Sequence, residues 1–263
     1  MIDPESSKEI IKEAKAVVPE VYKDIAKPAA QEVGNVTGRT VKALLAPLRG
    51  MLWGWEQIEK IIEEGVKKRI ENIPENKRKT PDPEIAVPAI ESLRYTAQNE
   101  TLREMYLNLL GNSMDSRKDK IVHPSFVELI KQMNSLDVKM FDKISKADGN
   151  YQKIFNPTIT VKGQGKSFTN ATPEWYAGWT LKNYSETEIS SSFIRLSKFG
   201  LIELMFDRTA GKDGYEKIKN SRFLLDVLEK FKKLHPHMNL EISGTKSIFY
   251  LNDYGRQFKE ACK

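Results

Sequence analysis

Three histidines (His123, His235 and His237) and one cysteine (Cys262) are the side chains of this 263-residue chain best suited to hold a metal or attack an electrophile. His235 and His237 flank Pro236, and two imidazoles so close together could begin a metal site. A zinc site needs further ligands at workable spacing, and no Asp or Cys stands at a recognisable distance from this pair. The segment reads more simply as a surface turn that closes a helix. A single cysteine excludes an internal disulfide and any Cys-based zinc site within one chain, and it suits a reducing cytosol.

Two other clusters could carry chemistry. Glu63 and Glu64 are adjacent carboxylates, the raw material of a metal nuclease or a glycosidase, but they fall on a predicted exposed helix face and read as solvated. Residues 163–167, GQGKS, carry the end of a phosphate-binding frame. The full frame G-x-x-x-x-G-K-[ST] requires a glycine five residues before Gly165, where this chain has Thr160. No H-x-E with C-x-x-C, H-E-x-x-H, G-x-S-x-G or G-x-G-x-x-G pattern occurs either. The expectation is a protein with no catalytic centre, metal, cofactor or small-molecule substrate.

The elements that would position any site are mostly helical. In the stretch 81–133, Pro83 and Pro88 bracket an entry segment, and Ile90, Leu93 and Ala97 then share one helical face. Asn99 is a plausible N-cap for a helix striped by Leu102, Met105, Leu109 and Leu110. His123-Pro124-Ser125 opens a third helix through Phe126, Leu129, Ile130 and Met133, with Ser125 as its expected cap.

Upstream, residues 1–33 read as a helix broken by Pro19 and Pro28. Val41, Leu44, Leu45, Leu48, Leu52, Trp55, Ile58 and Ile62 then recur at three- and four-residue steps, bent or split by Pro47, Gly50 and Gly54. Leu48, Leu52, Trp53 and Trp55 form a candidate membrane or partner face, since an apolar stripe with tryptophans can lie in a bilayer interface. Acidic residues from Glu56 onward weaken that attraction, so packing inside the protein is the favoured reading. Residues 71–84 form a polar connector, and Lys77-Arg78-Lys79 within it reads as a solvated loop. No secretory signal and no apolar run of the ~18–20 residues needed for a membrane span is present, so a cytoplasmic location is expected.

Downstream, a short helix around Met140 gives way to residues 151–172, where Ile159-Thr160-Val161 is strand-like and the glycines and hydroxyls suggest a flexible loop. Helices are expected from Pro173, through Trp175, Tyr176, Trp179 and Leu181, and over 186–199, where Gly200 stops the chain. Strands are expected at 201–206 and 247–251, separated by a polar insertion at 207–244 with one helix through Phe223 and Leu234. A last helix ends at Cys262.

The segments LLAPLRGMLWGWEQI (44–58), SLRYTAQNETLREMYLNLLGNSMD (92–115), HPSFVELIKQM (123–133), LSKFGLIEL (196–204) and FYLNDYGRQFKEAC (249–262) resemble the abortive-infection alpha family of bacterial proteins. The resemblance runs from about Ala14 to Cys262 and implies a role in phage defence, with no established reaction. Asn252 replaces the Thr of an expected "LTxxG" ending, a change that still permits a helix cap. The run LSKFGLIEL with FYLNDYGRQF also resembles a winged helix-turn-helix module. The expected architecture is therefore mainly α. An N-terminal helical bundle at 1–120 precedes a winged-helix-like α+β module with a two-stranded wing at 121–263.

The net charge is +6, and residues 124–263 hold 22 basic against 16 acidic side chains. Two function classes compete. One is a non-enzymatic defence protein that acts through a protein partner or by self-association. The alternative is a winged-helix nucleic-acid-binding regulator, for which Arg195 and Lys198 on the 186–199 helix are the candidate contacts. A reading helix projects Arg, Lys, Asn or Gln toward base edges. Glu186 and Glu188 at the start of this one make it a poor DNA reader, so nucleic-acid binding is not favoured.

Overall fold

A computed structural model of the chain describes residues 38–49, 58–147, 149–168 and 171–263. The helix expected at 1–33 lies outside the described residues, as do Leu52, Trp53 and Trp55. The described residues hold ten α-helices and one four-stranded antiparallel sheet, an α+β composition that is mainly helical. They form two compact units. One takes the chain up to Gln132 together with Glu260–Lys263, and the other is Met133–Lys259. The division thus falls about one helix beyond the split at 120 expected from the sequence.

The first unit contains α1 (Gly38–Arg49), α2 (Glu59–Glu71), α3 (Pro83–Thr96), α4 (Glu100–Ser113) and α5 (Ser125–Gln132). Val41, Leu44, Leu45, Leu48, Ile58 and Ile62 are at most 4 % exposed, so the described part of the stripe is core. The chain enters α3 earlier than the prolines suggest. The Asp82 carboxylate accepts the Glu84 N–H at 2.9 Å, Pro83 occupies the first turn, and Pro88 lies inside the helix. Pro88 cannot donate to the preceding turn, and its own carbonyl accepts the Ser92 hydroxyl at 2.7 Å. Asn99 caps α4, its side chain accepting the Leu102 N–H.

At α5 the expected cap is corrected. Ser125 is the first helical residue, and its N–H donates to the ring Nδ1 of His123 at 3.1 Å. Helices α2 and α4 approach closely because Gly111 has no side chain. A Cβ there would stand 2.9 Å from that of Arg69. Arg69 instead reaches across to the Asn108 side-chain oxygen at 2.6 Å and to Glu104 at 2.8 Å. The end of the chain completes this unit, with the Asn108 amide donating to the Cys262 carbonyl at 3.1 Å and that of Asn112 to the Ala261 carbonyl at 2.8 Å.

The second unit runs α6 (Ser135–Ser145), β1 (Gln152–Val161), β2 (Ser167–Phe168), α7 (Glu186–Lys198), β3 (Ile202–Met205), α8 (Lys212–Lys219), α9 (Arg222–Leu234), β4 (Leu240–Leu251) and most of α10 (Asp253–Cys262). The sheet order is β2-β1-β4-β3. The two expected strands do pair, from Ile202 opposite Leu251 to Met205 opposite Ile248. They are part of a larger sheet, however, and not a separate two-stranded wing. The 12-residue β4 also pairs along β1, from Gln152 opposite Phe249 to Val161 opposite Leu240.

Strand β1 extends the strand-like run expected at 159–161 back to Gln152, and Gly163 and Gly165 of the expected loop form the turn into β2. Pro157 of β1 faces Gly244, whose φ of +144° is a conformation that side chains rarely adopt, and a Cβ on Gly244 would collide with the Asn156 carbonyl. The helix expected from Pro173 does not form. Phe155 and Tyr176 exchange backbone hydrogen bonds of 2.9 and 2.8 Å, which draws this segment out along β1. Gly178 and Asn183 have positive φ, which no helix accepts. Helix α9 lays Phe223, Val227, Leu228 and Phe231 against a core that includes Ile159, Leu240 and Ile242.

Candidate interaction site

A polar cluster of the second unit joins α6 to α7. Asn134 and Asp137 form a reciprocal cap at the start of α6. The Asn134 side chain accepts the Asp137 N–H at 3.0 Å, and the Asp137 carboxylate accepts the Asn134 N–H at 3.1 Å. The same carboxylate accepts the Ser192 hydroxyl at 2.7 Å and the Arg195 guanidinium at 2.7 and 2.9 Å, both from α7. Asp137 is fully buried, whereas the Arg195 side chain is 34 % exposed. A buried carboxylate is tolerated only when its oxygens are occupied and its charge is met, and here both conditions hold.

A groove of about 510 Å³ opens beside this junction, lined by Ser135, Tyr184, Thr187, Ser191 and Arg195 among others. Its rim is set by a second reciprocal cap. The Ser185 hydroxyl accepts the Glu188 N–H, while the Glu188 carboxylate accepts the Ser185 N–H at 2.8 Å. The Ser185 N–H first, and then the Ser185 hydroxyl donating to the same carboxylate at 2.8 Å, hold the Glu188 carboxyl below its usual range. Lys139 stacks its ammonium over Tyr184 and Lys143 over Trp179, each at 5.2 Å. Hydroxyls, one shared guanidinium and capped helix starts line this groove.

The residues singled out in the sequence distribute differently. Arg195 is engaged by Asp137, and Lys198 is exposed on the last turn of α7. Leu48 is fully buried in the first unit. Glu63 pairs with Lys42 at 3.2 Å and Glu64 with Lys60 at 3.9 Å. The 163–167 run forms the turn between β1 and β2, with positive φ at Gly163 and Gly165. A phosphate loop must lead into a helix start, and this one leads into a strand. Cys262 is buried, and burial pushes its thiol well above the ordinary range. Among the described residues, no three His, Cys, Asp or Glu side chains come together to hold a metal, and no helix is long and apolar enough to cross a membrane.

Sequence reasoning missed Asp137. Its only signal was the Asn134-x-x-Asp137 spacing ahead of an apolar stripe, and that announces a helix start without its link to Ser192 and Arg195.

Fold and site together define an α+β protein, mainly helical, in which a buried carboxylate ties two helices beside a polar groove. A model of the abortive infection alpha family matches residues 54–262, and the chain belongs to that family. Membership associates the protein with abortive infection, a form of phage defence. No curated protein and no solved structure matches it.

Proposed function

We propose that this is a non-enzymatic bacterial defence protein, acting in the cytoplasm through a protein partner or by self-association. In this reading the second unit is a winged-helix-like module reused for binding protein. The strand order supports it: β1 precedes α7, β3 and β4 follow, and β4 lies between β1 and β3, with α8 and α9 inserted where a wing would turn. The observation that carries the choice of partner is the Arg195–Asp137 ion pair at 2.7 Å. It commits the one arginine of α7 to an internal carboxylate, and Glu188 stands exposed at the helix start, where it would repel a phosphate backbone.

The test is a plaque assay with cell survival followed after infection, using a host that carries the gene. Thr187→Arg, an exposed change in the groove, should abolish protection while the purified variant melts like the parent. Lys198→Ala should protect as the parent does. A second reading, a nucleic-acid regulator, draws on the same strand order and on the basic excess of residues 124–263. It would replace the first if the purified protein bound one duplex at least ~10³-fold tighter than random duplex at physiological salt.

A further inference from the structure

The turn between β1 and β2 and the end of α9 meet at one end of the sheet. The Lys162 N–H donates to the Asn239 carbonyl at 2.8 Å, and the Phe168 ring lies 5.3 Å from Phe231 and 4.9 Å from His235. This places two basic segments side by side. In the turn, Lys162 and Lys166 flank Gly-Gln-Gly, with every residue of 162–167 exposed and no acid in the run. Along the end of α9, Lys230, Lys232 and Lys233 are exposed. Against these five lysines stand Glu229, bound to Lys232 at 3.1 Å, and Glu241.

Two large apolar side chains sit among the cations. Leu234 is 71 % exposed and Met238 is 44 % exposed, and the Met238 N–H closes a turn on the His235 carbonyl at 3.0 Å. Each alone would be unremarkable on a protein surface. Both lie at the basic end of an amphipathic helix whose other apolar face is already packed on the sheet.

We propose that this end of the second unit docks on an anionic lipid bilayer. Lysines suit diffuse contact with phosphate headgroups, each adding about fivefold to partitioning near a charged surface. Their long stems can lie along the acyl boundary while the ammonium stays in water. Leu234 and Met238 supply the apolar anchor that charge alone lacks. Neither segment contains an arginine, and the aromatic rings here pack on one another, so the base-edge forks and stacking platforms of a nucleic-acid surface are missing. The surface is separate from the α6–α7 groove, so either assignment can fail without the other.

The experiment is co-sedimentation of the full chain with phosphatidylcholine vesicles, with and without phosphatidylglycerol. The protein should pellet with the anionic vesicles alone and release as salt rises. Lys162→Glu with Lys166→Glu should lower partitioning at least ~tenfold. Leu234→Ser with Met238→Ser should lower it severalfold without changing the melting temperature or the salt dependence. No pelleting, or pelleting indifferent to all four changes, overturns the proposal. So does tighter binding to a short DNA or RNA than to vesicles, lost in the lysine variant and intact in the Leu234/Met238 variant.

Discussion

Arg195 and Asp137 are 58 positions apart in sequence, and their charged groups stand 2.7 Å apart. Each depends on the other. The carboxylate is fully buried and needs a counter-charge, and the Ser192 hydroxyl donates to the same oxygen as the guanidinium. Removing one partner leaves an uncompensated charge, discounted here because Arg195 is partly solvated. Arg195→Ala is therefore expected to cost about 2 kcal/mol, whereas Lys198→Ala should stay within about 0.5 kcal/mol of the parent. Urea unfolding midpoints measure both, and equal midpoints would remove the ion pair from the account.

Leu48 tests the fate of the N-terminal stripe. It is 0 % exposed on α1, so Leu48→Asp places an unpaired carboxylate in a packed site. A loss of at least about 3 kcal/mol is expected. A thermal melt unchanged from the parent would mean that this face is open to a bilayer or a partner.

Acid should weaken the first unit through Asp115. Its carboxyl lies below the ordinary range, chiefly because the Arg117 side chain donates to it, at 2.6 Å for the closest bond. A carboxylate depressed in the folded state contributes stability that is present above its unfolded pKa of about 3.9 and is lost as pH falls through the folded value. Asp115→Asn should flatten the stability profile below about pH 4 and leave its shape near neutrality unchanged. An acid limb identical to the parent's would assign the sensitivity to other carboxylates.

The thiol of Cys262 should be inert. It is fully buried, and burial favours its protonated form, so little thiolate is available to react. Labelling with an aromatic disulfide at mild alkaline pH should proceed only as fast as the chain opens and should speed up in denaturant. Labelling at the rate of a small free thiol would contradict the burial.

The helices were legible because their starts carry local chemistry. Asn99 and Gly200 mark a start and a stop without help from the rest of the chain. The stripes through Leu44, Ile62 and Leu109 likewise predicted burial. Only the last three residues of strand β1, Ile159-Thr160-Val161, were legible, because Pro157 speaks against a strand upstream of them, although Phe155, Pro157, Ile159 and Val161 alternate as one buried face. What stabilises that proline in a strand is a glycine 87 positions away, invisible to any local window. The aromatic run at 175–181 misled for a related reason. Its helical spacing was overridden by pairing with Phe155 and by the positive φ at Gly178. Asp137 belongs to the same class, since only the folded chain brings Arg195 to it.

Strand β4 lies between β1 and β3, yet it is the last of the four described strands in chain order and so the last of them to leave the ribosome. Until residues 240–251 emerge, β1 has only the two residues of β2 and the bridge to Tyr176 to pair with, and the edge that β4 covers is bare. The first unit waits as well, because the Asn108 and Asn112 amides find their carbonyl partners at Cys262 and Ala261. Both units therefore acquire their full set of partners only once residues 240–262 have emerged. A chain released early, by a nonsense codon or a protease, would present an open strand edge, the kind of surface that recruits other strands and aggregates.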